Sequence, residues 1–489
     1  MALMMMFILF NYTLMRDSKD VLVSTAPGSG AETFSFLKLF GVLPCSVLFM
    51  LVYVKMVNKM SSEKIFYTIV TTFMIFFGVF GCVLYPMSST LHASPETLEA
   101  WRRACPAGFY WPLALIANWT YSLFYIMAEL WGSVAISMLF WQFANATTQV
   151  KQSKRFYAFF GLVGNLGLPC SMFILKTGAK IGKKIAKPGV DDGYWANILF
   201  VCSFIVLACL IIMTIYHWIQ KNVLTDPKLF DPSQIKAKKE KPKLSLGESF
   251  KCIATSSYLG LLLVLVMGYN VGINLVEMVW KSQIREAFPN KNDYANFMGN
   301  FSGITGCVTI FFSFVGMNIL QRCKWRTAAL MTPVMLLITC SVFFGLLFYA
   351  KAHGQWEPLT IGAYTTTVVM GTVVVGLIQN VLSKSTKYTL FDSTKQMAYI
   401  PLDVELKTKG QAAVEVVGGR FGKSGGAAIQ SLLLFIFGGS TTLLTLTPIL
   451  APIVLVIVVL WILAIFGLNP KFLALTAQRE NEAKASKAS

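Results

Sequence analysis

Apolar runs of about 20 residues recur along the whole of this 489-residue chain. A run of that length and character has one stable setting, a helix across a bilayer. Hydrophobic residues make up 55% of the chain and charged residues only 13%, and the mean hydropathy is +0.61. The fold class that follows is an all-α polytopic membrane protein. Its first apolar run, Met1 to Met15, is too short to cross. Fifteen helical residues reach about 22 Å, against a hydrocarbon core of about 30 Å. A crossing helix must therefore continue through Arg16, Asp17, Lys19 and Asp20 to about Thr25, where Pro27-Gly28 stops it. Charges of both signs then lie inside or at the edge of the membrane, where they are tolerated facing a wet cavity or a partner. Tyr12, Arg16, Lys19 and Asp20 share one helix face. The other reading is a helix that starts earlier and a charged loop after it.

Twelve spans are expected, near residues 2–25, 35–54, 65–86, 109–146, 156–176, 195–220, 257–281, 295–320, 327–350, 360–388, 423–439 and 442–468. The fourth is taken as one bent helix. Loops after even-numbered spans, with the tail, hold a roughly two-to-one excess of Lys and Arg, which predicts both termini in the cytoplasm. The five lysines from Lys176 to Lys187 dissent, in a loop expected on the outer side, where a substrate funnel would suit them. The loop bias accounts for the formal charge of +19 and removes the need for a nucleic-acid partner. The basic segment around KAKKEKPK (236–243) divides the chain. Residues 1–220 and 257–468 read as two six-helix bundles of the major-facilitator kind, joined by a cytoplasmic linker at 221–256 and followed by a tail at 469–489. With its site between the halves, such a carrier works as a monomer. The first run has no basic n-region or small-residue cleavage site, and no Arg/Ser-rich transit peptide is present. A bacterial inner membrane is expected. The ten cysteines are scattered without a CxxC pair, so neither metal sites nor cofactors are expected.

The seventh span repeats the pattern of the first. Asn270, Asn274, Glu277 and Lys281 form one polar stripe on an apolar helix. Elsewhere Lys38 opens the second span, Glu129 lies within the fourth, and Lys384, Lys387, Arg420 and Lys423 bracket the tenth and eleventh. A carboxylate at such depth needs a cation, a hydrogen-bond donor or a proton. Cations from both halves facing one cavity suit a phosphate-bearing anion, and helix N-termini near Ser35 and Gly422-Lys423 add positive dipole ends. Tyr12, Trp119, Tyr125, Trp131 and Trp280 are candidates to stack a base. Each charge has a second reading as an inter-helix salt bridge, the two lysines 384 and 387 as interfacial groups, and each aromatic as a lipid-facing ring. GGRFGKSGG (418–426) reads GxxxGKS, one residue short of the ATPase loop and outside an α/β unit, so an ATP-hydrolysing enzyme is not expected.

The segments NYTLMRDSKD, TAPGSGAE, AELWGS, NLVEMVWKSQ, QNVLSKSTKYTLFDSTKQMAYIPLD and GKSGGA together resemble the nucleotide transporters called ATP/ADP translocases, found in chlamydia- and rickettsia-like intracellular bacteria and in plastids. The resemblance runs from about residue 10 to about residue 435. It implies a twelve-span secondary transporter that exchanges ATP for ADP with phosphate. Proton-coupled net import of nucleoside triphosphates, or NAD transport, is the alternative. It implies roles for Lys38, Glu129, Glu277 and Lys423, four charges already picked out above. Phosphate-binding candidates are thus Lys38, Lys423, Arg16, Lys19, Lys387 and Arg420. Glu129 and Glu277 are candidate gating or coupling carboxylates, and Tyr12, Asn270, Asn274 and Trp131 are candidate polar or base contacts. Two positions depart from the family pattern. Ala117 stands in ALIANWTY where exchangers carry Arg, and Gln396 stands where Glu is usual. The first leaves open a different nucleotide specificity or proton-coupled import.

Overall fold

The computed structural model describes residues 1–147, 150–187, 192–225, 256–361, 364–402, 410–416, 418–419 and 422–488. The basic segment 236–243 lies outside the described residues. The first helix, α1 (Ala2–Ser24), runs through all four of its charges. Thr25 ends it by donating its N–H to Val21 O at 3.1 Å, just before Pro27 and a left-handed Gly28 (φ 65°). The chain then continues as α2 (Thr33–Lys59), α3 (Ser62–Leu84), the amphipathic α4 (Pro95–Ala104), α5 (Tyr110–Ala117), α6 (Trp119–Ala144), α7 (Val150–Asn165), α8 (Gly167–Ile185) and α9 (Tyr194–Asn222). Next come α10 (Ser257–Ala287), α11 (Lys291–Arg322), α12 (Trp325–His353) and α13 (Val368–Tyr399). The shorter α14 (Gln411–Val416) and α15 (Gly422–Phe437) lead to the long α16 (Thr447–Ala488).

Among the described residues, ten helices are long and apolar enough to cross a membrane. The two expected spans outside that set are α1 and α15. At 23 residues α1 is about 34 Å long, so its charges, and not its length, set it apart; α15 has 16 residues. Large apolar side chains stand exposed on many of these helices, Phe40 at 69% and Ile436 at 66% among them, as faces turned to lipid require.

Three expectations are corrected. The fourth span is not one bent helix. It breaks at Asn118 (φ −108°, ψ 46°), whose amide side chain donates to Ala114 O at 2.9 Å and to Pro27 O at 3.0 Å, so a polar residue ends one helix and ties it to the loop after α1. The lysines at 176, 180, 183 and 184 are not in a loop; α8 continues to Ile185 because nothing breaks it before Lys187-Pro188. Residues 360–361 and 364–367 are strand, not helix. Pro358–Ile361 pairs antiparallel with Tyr364–Thr367 as a short hairpin, which the Thr- and Tyr-rich run favours, and Thr367 then caps α13 through its hydroxyl. The expected tail from residue 469 is helical, since α16 passes through Pro470 to Ala488.

The chain divides into two compact units. One gathers Met1–Ala237, Ile284–Cys307 and Leu434–Thr441; the other gathers Lys238–Gln283, Val308–Leu433 and Thr442–Ser489. In the first unit α1 is the hub. Asn11 donates to Ile205 O on α9 at 3.1 Å, and Trp131 on α6 donates to Ile8 O at 3.3 Å. A Cβ on Gly167 of α8 would lie 2.6 Å from Met6 O, and one on Gly164 of α7 would lie 2.9 Å from Met5. Glycine thus lets α8 approach the α1 backbone and lets α7 close on the Met5 and Leu9 side chains. His92, between α3 and α5, bonds the Thr120 hydroxyl at 2.6 Å and packs edge-on against Tyr121. Burial, with the positive charge of Lys291 in support, pushes its pKa down to about 4. In the second unit Trp280 of α10 donates to Val373 O at 2.9 Å and fills the notch left by Gly376.

A Cβ on Gly376 would lie 2.1 Å from Trp280 Cδ1. Gly376→Ala is therefore expected to destabilise the purified protein by roughly 1–3 kcal/mol, read as a lowered thermal unfolding midpoint in detergent. His92 is neutral when folded, so its stabilising contribution is complete above the unfolded value of about 6.5 and is lost as pH falls towards about 4. His92→Gln should flatten the fall in unfolding midpoint over that window.

Candidate functional site

The charged end of α1 is fully packed within the first unit. Asp17, Lys19 and Asp20 are each at most 2% exposed. Lys19 Nζ lies 2.8 Å from Asp20 Oδ1 and 3.0 Å from Glu129 Oε1 of α6. The same ammonium sits 3.8 Å from the centroid of the Tyr125 ring, and Phe34 stacks on that ring at 5.5 Å. One cation is thus clasped by two carboxylates and an aromatic face. One turn earlier, Arg16 Nε meets Asp17 Oδ1 at 2.9 Å and Arg16 Nη2 donates to Ser302 Oγ at 2.6 Å. The Ser302 hydroxyl in turn donates to Asp17, closing a ring of three residues. Two buried acids on α1 are held by different cations, and each pairing offsets a desolvation cost that an isolated ion would bear alone.

In the second unit a carboxylate meets two lysines. Glu277 Oε1 is 3.1 Å from Lys281 Nζ and 3.2 Å from Lys384 Nζ. Glu277 and Lys281 are one turn apart on α10, and Lys384 comes from α13. Lys387, further along α13, lies 5.5 Å from the centroid of the Tyr269 ring. The polar stripe of α10 is covered by the start of α15. A Cβ on Gly422 would lie 2.7 Å from Asn270 Cβ, and one on Gly426 would lie 3.0 Å from Asn274 Cβ. The glycines of GKSGG therefore serve close helix packing here.

Among the expected site residues, Arg16, Lys19 and Glu129 belong to the first cluster and Glu277 to the second. Tyr12 lies near Arg16, whose guanidinium carbon is 5.8 Å from its ring centroid. Lys38 is half-buried, on a π-helical turn, Leu37–Val42. Asn270 donates to Val266 O of its own helix at 2.8 Å, and Asn274 is 7% exposed. Trp131 is buried, crossed edge-on by Phe73 at 5.3 Å, and so engaged in helix packing. Arg420 lies outside the described residues, as does the side chain of Lys423. Asp17, Ser302 and Lys281 join these clusters without being among the candidate phosphate, gating or base contacts. Lys281 was visible in the α10 stripe, whereas nothing in the sequence near Ser302 marks it. The wide π-helical turns Leu37–Val42, Gly132–Phe140 and Lys387–Phe391 carry or follow Lys38, Glu129 and Lys387; such turns recur at functional sites.

Removing Lys19 leaves buried Asp20 and half-buried Glu129 without the cation they share. Lys19→Gln is expected to cost roughly 3–5 kcal/mol of stability, measured by thermal unfolding. Adding Asp20→Asn should recover part of it, since the second change removes the uncompensated charge. Additive losses in the double variant would contradict the clasp.

The model of the TLC ATP/ADP transporter family matches residues 1–472. The chain is 46% identical to ADP,ATP carrier protein 1 of Chlamydia trachomatis, over 99% of this chain and 90% of that protein. It is 45% identical to ADP,ATP carrier protein 1 of Rickettsia bellii, covering 98% and 94%, and 42% identical to the chloroplastic ADP,ATP carrier protein 1 of Arabidopsis thaliana, covering 100% and 76%. Among solved structures, a bacterial homologue of the iron transporter ferroportin in an inward-facing state superimposes with a TM-score of 0.55 at 13% identity, over 95% of this chain and 98% of that one. The xylose transporter XylE of E. coli superimposes at 0.52 with 10% identity, over 95% of each. At such identities these likenesses show the fold alone, that of major-facilitator-like transporters. The chain is a multi-pass membrane transporter, not an enzyme, and belongs to the TLC ATP/ADP transporter family.

Proposed function

We propose that this protein exchanges ATP for ADP, with phosphate accompanying ADP, by alternating access across a bacterial inner membrane. The reading has both termini in the cytoplasm and a monomer of two six-helix bundles as the working unit. The observation that carries it is the pairing of the intramembrane carboxylate Glu277 with two lysines, Lys281 and Lys384. A nucleotide's phosphates can take over as counter-ion to such lysines by charge-assisted hydrogen bonds. When substrate leaves, the carboxylate returns to the lysine and the ions stay compensated. An empty site locked by its own ion pairs stays put, which is what strict exchange demands. The names of the relatives, all ADP,ATP carriers, support this choice of substrate.

One observation favours a second reading, proton-coupled net import of nucleoside triphosphates or NAD transport. Ala117, at the position where exchangers carry Arg, is 2% exposed and packed with Leu98 and Ala114 in a small apolar cluster. A cation is replaced there by close packing, and Glu129 or Glu277 would then serve as proton carrier.

Proteoliposomes separate the readings. Labelled ATP should enter vesicles preloaded with ADP and leave empty vesicles nearly unlabelled. Uptake into empty vesicles that needs a proton gradient and stops with a protonophore would establish the second reading instead.

A further inference from the structure

We propose that Lys281 and Lys384 are the pair of cations that grips the terminal phosphates of a nucleoside di- or triphosphate, with Glu277 as their resident stand-in, and that Lys19 is a positioning residue that touches no phosphate. The inference rests on the nucleotide-transport reading above and names the subsite within it.

Two ammonium groups converge on a single atom, Glu277 Oε1, at 3.1 and 3.2 Å. Lysine is an unbranched, flexible cation with three rotatable donors. Two such groups held on one oxygen are preset for a ligand with several oxygens and more than one charge. A terminal phosphate offers that; a carboxylate offers less of it. The two lysines also come from different elements. Lys281 rides on α10 with Glu277, while Lys384 belongs to α13, so the shared oxygen ties these helices together. A phosphate that draws Lys384 off Glu277 loosens that tie, which links occupancy of the subsite to movement of α13 against α10.

Lys19 is built for the reverse. Its ammonium faces Asp20, Glu129 and the Tyr125 ring. A phosphate reaching it must displace two carboxylates of its own charge sign, which repel it. Lys19 therefore keeps Asp20 and Glu129 ionised and in place.

The test is nucleotide binding to the purified full-length protein in detergent, by titration calorimetry with ATP, ADP and AMP. Lys281→Gln and Lys384→Gln should weaken ATP by about 10- to 100-fold, the worth of one charge-assisted hydrogen bond, and weaken AMP far less. Lys281→Arg should stay within a few-fold of wild type. Glu277→Gln should bind ATP as tightly as wild type or more tightly, because the competing anion is gone. A purely structural ion pair predicts otherwise: Lys281→Gln and Glu277→Gln would then weaken ATP alike, and that result overturns the inference. Unchanged ATP affinity in Lys281→Gln overturns it too. If Lys281→Gln does not fold, the Lys281→Gln/Glu277→Gln double variant removes both partners together; it should fold and bind ATP weakly, and wild-type affinity there overturns the inference. Wild-type protein that binds no nucleotide overturns the transport reading itself, a result distinct from all of these.

Discussion

Charge buried in a bilayer-spanning protein governs this structure. An ion in a low-dielectric interior is costly unless a counter-ion and hydrogen-bond donors meet it. Along α1, four charged residues follow one another within five positions, and each is met. Asp17 takes Arg16 and Ser302; Asp20 and Glu129 share Lys19. That requirement explains why α1 is the hub of its unit. Its acids and cations need partners from α6 and from the Ile284–Cys307 segment, and its apolar start needs the glycines of α7 and α8 to come close.

The two units meet the same problem with different pairings. In one, a single lysine satisfies two carboxylates; in the other, a single carboxylate occupies two lysines. Both arrangements keep ions buried, yet they differ in what they can give up. A lysine held by two acids and an aromatic ring has little to offer an incoming anion. Two lysines that share one oxygen have donors that a polyanion can recruit.

The sequence made the charged helix legible because simple length decides it: fifteen apolar residues do not cross, so the helix had to include Arg16 to Asp20. The α10 stripe was legible for a similar reason, since Glu277 and Lys281 are one turn apart. What escaped was tertiary. Ser302 lies 285 positions from Asp17 along the chain, and no local pattern announces it. Asn118 sits in an apolar run and ends a helix only because its amide finds Pro27 O across a loop. The lysines of α8 look like loop residues by charge, but no breaker precedes Pro188. The paired strands Pro358–Ile361 and Tyr364–Thr367 show β-branched residues overriding an apolar window that reads as helix.

The central claim is that Glu277 stands in for a phosphate and releases its lysines when nucleotide arrives. Infrared difference spectroscopy of the purified protein on adding ATP tests this most directly, with Glu277→Gln to assign the band. The account predicts a shift in the carboxylate stretch of Glu277 as its two ammonium partners leave, absent in the variant. A carboxylate band that stays unchanged while ATP binds would show that Glu277 keeps its lysines throughout, and would contradict the account.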